Sequence, residues 1–174
     1  MALDPAVDEE VNLSLYDPGW PTAFAAERDR LLSRFSTQLL RVEHFGSTAI
    51  PGMPAKPIVD ILAGVASMDA ADALFGPILD AGYTTSRAFN AMLADRRWFM
   101  RSSEGRRTHH LHIVVADGSA WRERVAFRDR LRASAELAQR YADLKRELAA
   151  RFRRDREAYT EAKSTFVASV LAST

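Results

Sequence analysis

Hydrophobic and polar positions fall into three regimes along the chain. Between Trp20 and Leu39 apolar residues recur at helical spacing, with Phe24, Leu31 and Phe35 on one stripe and Leu32 and Leu39 beside it. This predicts an amphipathic helix of about four turns opened by Pro21. From Leu39 to Val115 the period shortens to two, which predicts strands over residues 39–45, 58–65, 83–89, 97–101 and 109–115. Within that region Ala71, Leu74, Ile78 and Leu79 predict a short helix, capped by Ser67 or Asp69 and stopped by Gly82. Beyond the turn Ala116-Asp-Gly-Ser119 the helical period returns. One helix carries Trp121, Val125 and Arg128 on a face with Leu131 at its flank, the next Leu137, Tyr141, Leu144, Leu148 and Phe152, and the last Tyr159, Lys163, Phe166 and Val170. Ser119, Ser134 and Asp155 are their expected N-caps. These elements add up to an α+β fold: a mixed β-sheet of about five strands flanked by helices, with a C-terminal three-helix segment over 121–174 packed back onto it. Residues 1–15 are acidic and aperiodic, so a flexible N-terminus is expected before a single domain at 16–174.

The length of 174 residues is enough for a sizeable core without covalent staples, and 47% hydrophobic with 27% charged residues is ordinary for a globular chain. Cysteine is absent, which excludes disulfides, thiolate catalysis and thiolate metal sites. No apolar run approaches the ~18 residues of a membrane helix, and the N-terminus lacks a secretory pattern, so cytoplasmic residence is expected. The net charge of +1 conceals an asymmetry. Residues 1–30 hold seven acids against two arginines, whereas residues 121–156 hold twelve bases against six acids. A basic face can attract anionic ligands or RNA, although interspersed acids also suit a solvated helical surface.

Candidate chemistry gathers in Arg41–Val65. Gly46-Ser47-Thr48 follows a strand, and a glycine there lets the backbone approach a ligand, with amides and hydroxyls directed at anionic oxygen. Lys56 adds a charge. Asp60 lies on the strand face of Ile58 and Leu62, where a carboxylate is costly unless it is hydrogen-bonded, ion-paired or metal-bound. His44 stands at the mouth of the turn, as a ligand contact or as a packed histidine. Three of the four histidines follow at His109, His110 and His112, and alternation sets His110 and His112 on one face. Such a pair can chelate a metal, bind phosphate when protonated, provide acid–base catalysis, or serve only as an edge-strand feature. Arg101 and Arg107 border that strand and suit paired contacts to phosphate oxygens. Arg128 and Lys163 sit on apolar helical stripes, either snorkelling past the core or aimed into a site.

The turn Gly46-Ser47 followed by Asp60 in the next strand resembles the opening motif of the nucleotidyltransferase superfamily. The strings His44-Phe-Gly-Ser-Thr48-Ala-Ile-Pro51-Gly and Lys56-Pro-Ile-Val-Asp60 are similar to the GrpB family within that fold, as are Thr108-His-His-Leu-His112, Ala126-Phe-Arg128-Asp, Tyr141-Ala-Asp-Leu-Lys145 and Tyr159-Thr-Glu-Ala-Lys163. The likeness runs from about Tyr16 to Leu171. It implies that His44, Gly46, Ser47, Thr48, Lys56, Arg101, Arg107, Arg128 and Lys163 surround a small phosphorylated ligand, with ATP as the expected nucleoside triphosphate. Asp60, His110 and His112 would be both the catalytic and the metal-binding residues, with Mg2+ or Mn2+ as the cofactor. The superfamily's second carboxylate is missing, because Leu62 occupies its position. Three functions follow as expectations: metal-dependent nucleotidyl transfer or ATP-dependent ligation on a small acceptor; a catalytically degenerate nucleotide- or coenzyme A-binding module, in keeping with the family's fusion to dephospho-coenzyme A kinases; and, least favoured because acids interrupt the basic helices and no RNA motif is present, RNA binding.

Overall fold

The computed structural model describes residues 10–173. Its first helix, α1 (Trp20–Arg34), buries Phe24 and Leu31 of the stripe that the spacing predicts, together with Trp20 at its start. Strand β1 (Arg41–Phe45) leads through a single 3-10 turn (Ser47–Ala49) and a loop to β2 (Val59–Val65). The short helices α2 (Met68–Ala73), α3 (Phe75–Asp80) and α4 (Arg87–Ala91) precede a hairpin of β3 (Arg96–Ser103) and β4 (Arg106–Val115). Helices α5 (Ser119–Ala133), α6 (Ala135–Arg151) and α7 (Arg156–Ala172) complete the chain. Ser134 and Asp155 accept N-cap hydrogen bonds as expected, whereas Gly118 rather than Ser119 takes the cap position of α5.

The sheet is mixed but has four strands, in the order β1-β2-β4-β3, rather than about five. The expected strand over residues 83–89 fails to form beyond one bridge between Thr84 and Met100. Ser86 instead accepts from the Phe89 amide and starts α4. The side chain of Asn90 then takes the place of the missing strand. Its Nδ2 donates to the Trp98 carbonyl at 2.9 Å and its Oδ1 accepts from the Trp98 amide at 2.8 Å. β1 runs antiparallel to β2, β2 parallel to β4, and β4 antiparallel to β3.

The two faces of the sheet do different work. Val59, Ile61, Ala63 and Val65 of β2 join Phe99, Leu111 and Ile113 against α1, α2 and α3 in the main core. The opposite face carries Asp60, Leu62, His110 and His112 toward the C-terminal helices, where Leu62 and Val114 pack on Ala120 and Trp121. The N-terminal segment is tied down from its first described residues, and the expected flexible stretch otherwise falls on residues 1–9, outside the described chain. Val11 is buried against Leu148 and Tyr159, and Ser14 pairs with Ala55.

Arg101 lies on the α1 face and does not reach the Asp60 side. Its Nη1 donates to Glu27 at 2.6 Å, and the same carboxylate accepts from Arg30 and from the Tyr83 hydroxyl. Arg97, Phe99 and Arg101 alternate onto one face of β3, and that face is the core face. Burial works to raise the Glu27 carboxyl, but the hydrogen bonds from Arg30 and Tyr83 and the charges of Arg30 and Arg101 hold it below its ordinary 4.5. A depressed carboxylate stabilises the fold above its unfolded value and loses that contribution as pH falls. Stability is therefore expected to decline as pH drops below about 4.5. Glu27→Ala, which leaves Arg101 and Arg30 without their partner, should cost about 3 kcal/mol in urea denaturation at neutral pH and flatten that acid limb.

Candidate functional site

Position 46 has φ +72°, in the left-handed region, and a Cβ there would stand 2.4 Å from Asp60 Oδ2. Glycine is thus required both by the backbone and by the carboxylate that leans over it. The turn is braced from behind. His44 Nε2 and Thr48 Oγ1 lie 2.9 Å apart, with the imidazole stacked on Phe24. Arg128 donates to the His44 carbonyl and to Glu43, and Arg132 Nε donates to the Ala49 carbonyl at 2.8 Å. The Ser47 side chain lies beside that of Tyr141. His44, Thr48 and Arg128, expected around the ligand, therefore hold the turn in shape. His44 is kept neutral, since burial lowers it to about 4.

The parallel register sets Asp60 directly beside His110, and His110 Nδ1 stands 3.5 Å from Asp60 Oδ1. Arg107 Nη1 is 3.5 Å from His110 Nε2. Because a guanidinium can only donate, Nε2 is the acceptor and Nδ1 carries the proton toward Asp60. Trp98 meets His110 edge-on and lies beneath the Arg107 guanidinium. Burial works to raise the Asp60 carboxyl, but the hydrogen bond from His110 and the positive charges facing it, Lys56 among them, hold it below the ordinary range. Burial pushes His110 the other way, toward the neutral imidazole, against the pull of Asp60.

The expected metal set of Asp60, His110 and His112 is not assembled. His112 lies in register with Leu62 rather than Asp60, its ring is edge-on to Phe45, and its buried Nδ1 has no hydrogen-bond partner. Leu62 is fully buried, so the position of the absent second carboxylate is core. Among the described residues no three His, Asp, Glu or Cys side chains are grouped to hold a metal ion.

What the sheet and the helices do bring together is positive charge. An open cleft of about 1290 Å3 is lined by Ser47, Thr48, Lys56, Asp60, Arg107, His110, His112 and Lys163, all expected site residues. It is also lined by Lys145, Tyr159, Arg96, Trp98 and Arg156, which sequence reasoning had not assigned to it. Lys145 is 1% exposed, donates to the Pro54 carbonyl and stands over Tyr141. Lys56 and Lys163 both sit over the Tyr159 ring, at 5.4 and 4.3 Å from its centre. Lys145 interrupts the apolar stripe of α6 as Lys163 interrupts that of α7, and this oddity was the available signal. Burial, then the repulsion of neighbouring cations, lowers Lys56 and Lys145 to about 7 each. Burial lowers Lys163 to about 8, against the opposing pull of Asp60.

A four-stranded mixed sheet with a lysine-rich cleft between one face and helices α6 and α7 defines the class, an α+β protein with a polar, cationic site. Residues 10–173 match the family described as "GrpB protein", and the chain belongs to that family. It is 35% identical over 158 residues to UPF0157 protein YqkA of Bacillus subtilis, an alignment covering 91% of this chain and 45% of YqkA, so the chain spans under half the length of that relative. The crystal structure of the conserved protein GrpB from Enterococcus faecalis superposes with a TM-score of 0.80 at 31% identity, over 92% of this chain and 94% of the other. A dephospho-CoA kinase of Mycolicibacterium paratuberculosis is 35% identical over 116 residues, which are 63% of this chain and 26% of the kinase.

Two outcomes follow from this geometry. Gly46→Ala should lose about 2 kcal/mol or more in urea denaturation, from the disallowed φ and the displaced Asp60. For the lysines, folded values below the ordinary 10.5 mean that the unfolded chain binds more protons between about pH 7 and 10.5. Stability of the unliganded protein should therefore rise with pH across that window in a melting series, and Lys56→Met should flatten the rise.

Proposed function

We propose that the cleft binds a small phosphorylated ligand of the nucleotide class. The observation that carries this reading is the convergence of Lys56, Lys145, Lys163 and Arg107 on one cavity beside Asp60. Cations withdrawn from water are costly unless something compensates them. A phosphate chain supplies the compensation, through charge-assisted hydrogen bonds to ammonium and guanidinium groups. The Thr48 hydroxyl is already engaged with His44, so side-chain charge bears more of the recognition than that hydroxyl does. Phe89, Trp98 and Phe45 add ring surface to the same lining, suited to a heterocyclic base, and the volume is ample for a small ligand.

Binding is favoured over nucleotidyl transfer or ligation. Transfer by two metal ions needs carboxylate oxygens that clamp both the attacking and the leaving oxygen, and β2 offers Asp60 followed by a buried Leu62. A coenzyme A-like ligand is a second reading within the same chemistry, since coenzyme A carries a phosphorylated adenosine. It draws on the likeness to a dephospho-CoA kinase.

Calorimetric titration with ATP, coenzyme A and inorganic tripolyphosphate tests the proposal. Lys56→Met and Lys163→Met should each weaken binding by about tenfold, the worth of one charge-assisted contact. Arg101→Ala, on the opposite face, should leave binding unchanged. Unaltered affinity in both lysine variants would overturn the assignment.

A further inference from the structure

The metal ions that the fold's resemblance brings with it do not fit the residues present, and this disagreement has a positive side. Magnesium asks for near-octahedral oxygen, from carboxylates, waters and phosphate. On the sheet face that carries the cleft, the positions in register along β2 and β4 are Asp60 with His110 and the buried Leu62 with His112, which makes one strand carboxylate, two imidazoles and a leucine. Nitrogen donors suit zinc, copper or nickel better than magnesium. The carboxylate on the strand is also hemmed in. Oδ1 faces His110, and Oδ2 occupies the space that a side chain at position 46 would fill.

Around it stand three ammonium groups from three different elements: Lys56 from the β1–β2 loop, Lys145 from α6 and Lys163 from α7. Among the described residues none of the three has a carboxylate within 4.0 Å. Two stand against one tyrosine ring, and the third is buried and donates to a proline carbonyl. Three amines gathered from separate parts of the chain, without acidic partners within 4.0 Å, repel one another when protonated and then repel any further cation. They match a polyphosphate that arrives with its full negative charge.

We infer that Lys56, Lys145 and Lys163 occupy the electrostatic place of metal ions in this cleft, so that it takes its polyphosphate ligand free of magnesium. This rests on the anion-binding reading above and deepens it by naming the ligand's ionic form. A magnesium-chelated triphosphate has lost part of its charge and presents a hydrated dication to the ammonium cluster. The free triphosphate presents oxygens alone.

The test is calorimetric titration of the intact protein with inorganic tripolyphosphate and with ATP, in EDTA or in excess magnesium, at matched ionic strength. Both probes should bind about tenfold more tightly in EDTA, one charge-assisted contact's worth. In Lys163→Met, whose side chain is partly exposed and whose loss removes a repulsion, the advantage of EDTA should shrink. Equal or tighter binding with magnesium overturns this inference and leaves the anion cleft standing. An undiminished advantage of EDTA in Lys163→Met also counts against it. Failure of both probes to bind in either condition overturns the cleft's assignment as well.

Discussion

Parallel strands need a long crossover, and the connection from β2 to β4 carries three short helices and all of β3 before the chain returns beside β2. The rest of the cleft depends on the register of that return. Because Asp60 comes to lie opposite His110, the carboxylate gains a hydrogen-bonding neighbour, the imidazole gains a fixed tautomer, and Arg107 can close the row over Trp98. A slip of one residue would send His110 into the core and bring His109 or Leu111 to the cleft. The apolar residues on the other face, Ile61 and Ala63 beside Leu111 and Ile113, forbid that slip.

The same sheet carries charge on both sides, with opposite logic. On the α1 face a single carboxylate, Glu27, is surrounded by Arg30, Arg101 and Tyr83, and every charge has a partner. Toward α6 and α7 the cleft is lined by three lysines and four arginines against four carboxylates, Asp60, Asp155, Glu157 and Glu161. The first arrangement locks α1 to β3. The second leaves a deficit of negative charge that a solute can make good, which is how a binding surface differs from a structural network of the same residue types.

Much of this was legible in the chain. The helical stripes, the alternation along β2, β3 and β4, and the Gly46-Ser47 turn with Asp60 beyond it follow from local periodicity and steric rules. What local rules do not contain is which face of a strand looks at which neighbour. A period of two puts Arg101 and Trp98 on opposite faces of β3, yet only the packing of Phe99 into the main core decides that Trp98 rather than Arg101 lines the cleft. Arg128 stood out as a charge on an apolar stripe, and so does Lys145. One braces a turn through the His44 carbonyl, whereas the other reaches the Pro54 carbonyl and lines the cleft. The fifth strand was a fair reading of Tyr83 to Phe89, defeated by a cap at Ser86 and by the side chain of Asn90.

That asparagine has an effect beyond local geometry. The outer edge of a sheet offers a row of unpaired amides and carbonyls on which another chain can add itself. Along β3 the Thr84 bridge takes up Met100, and the Asn90 amide takes up both polar groups of Trp98. The middle of the strand is thereby closed to intermolecular pairing without the cost of another strand. One side-chain amide thus works against the growth of β-aggregates, and it does so most where the chain is crowded with copies of itself.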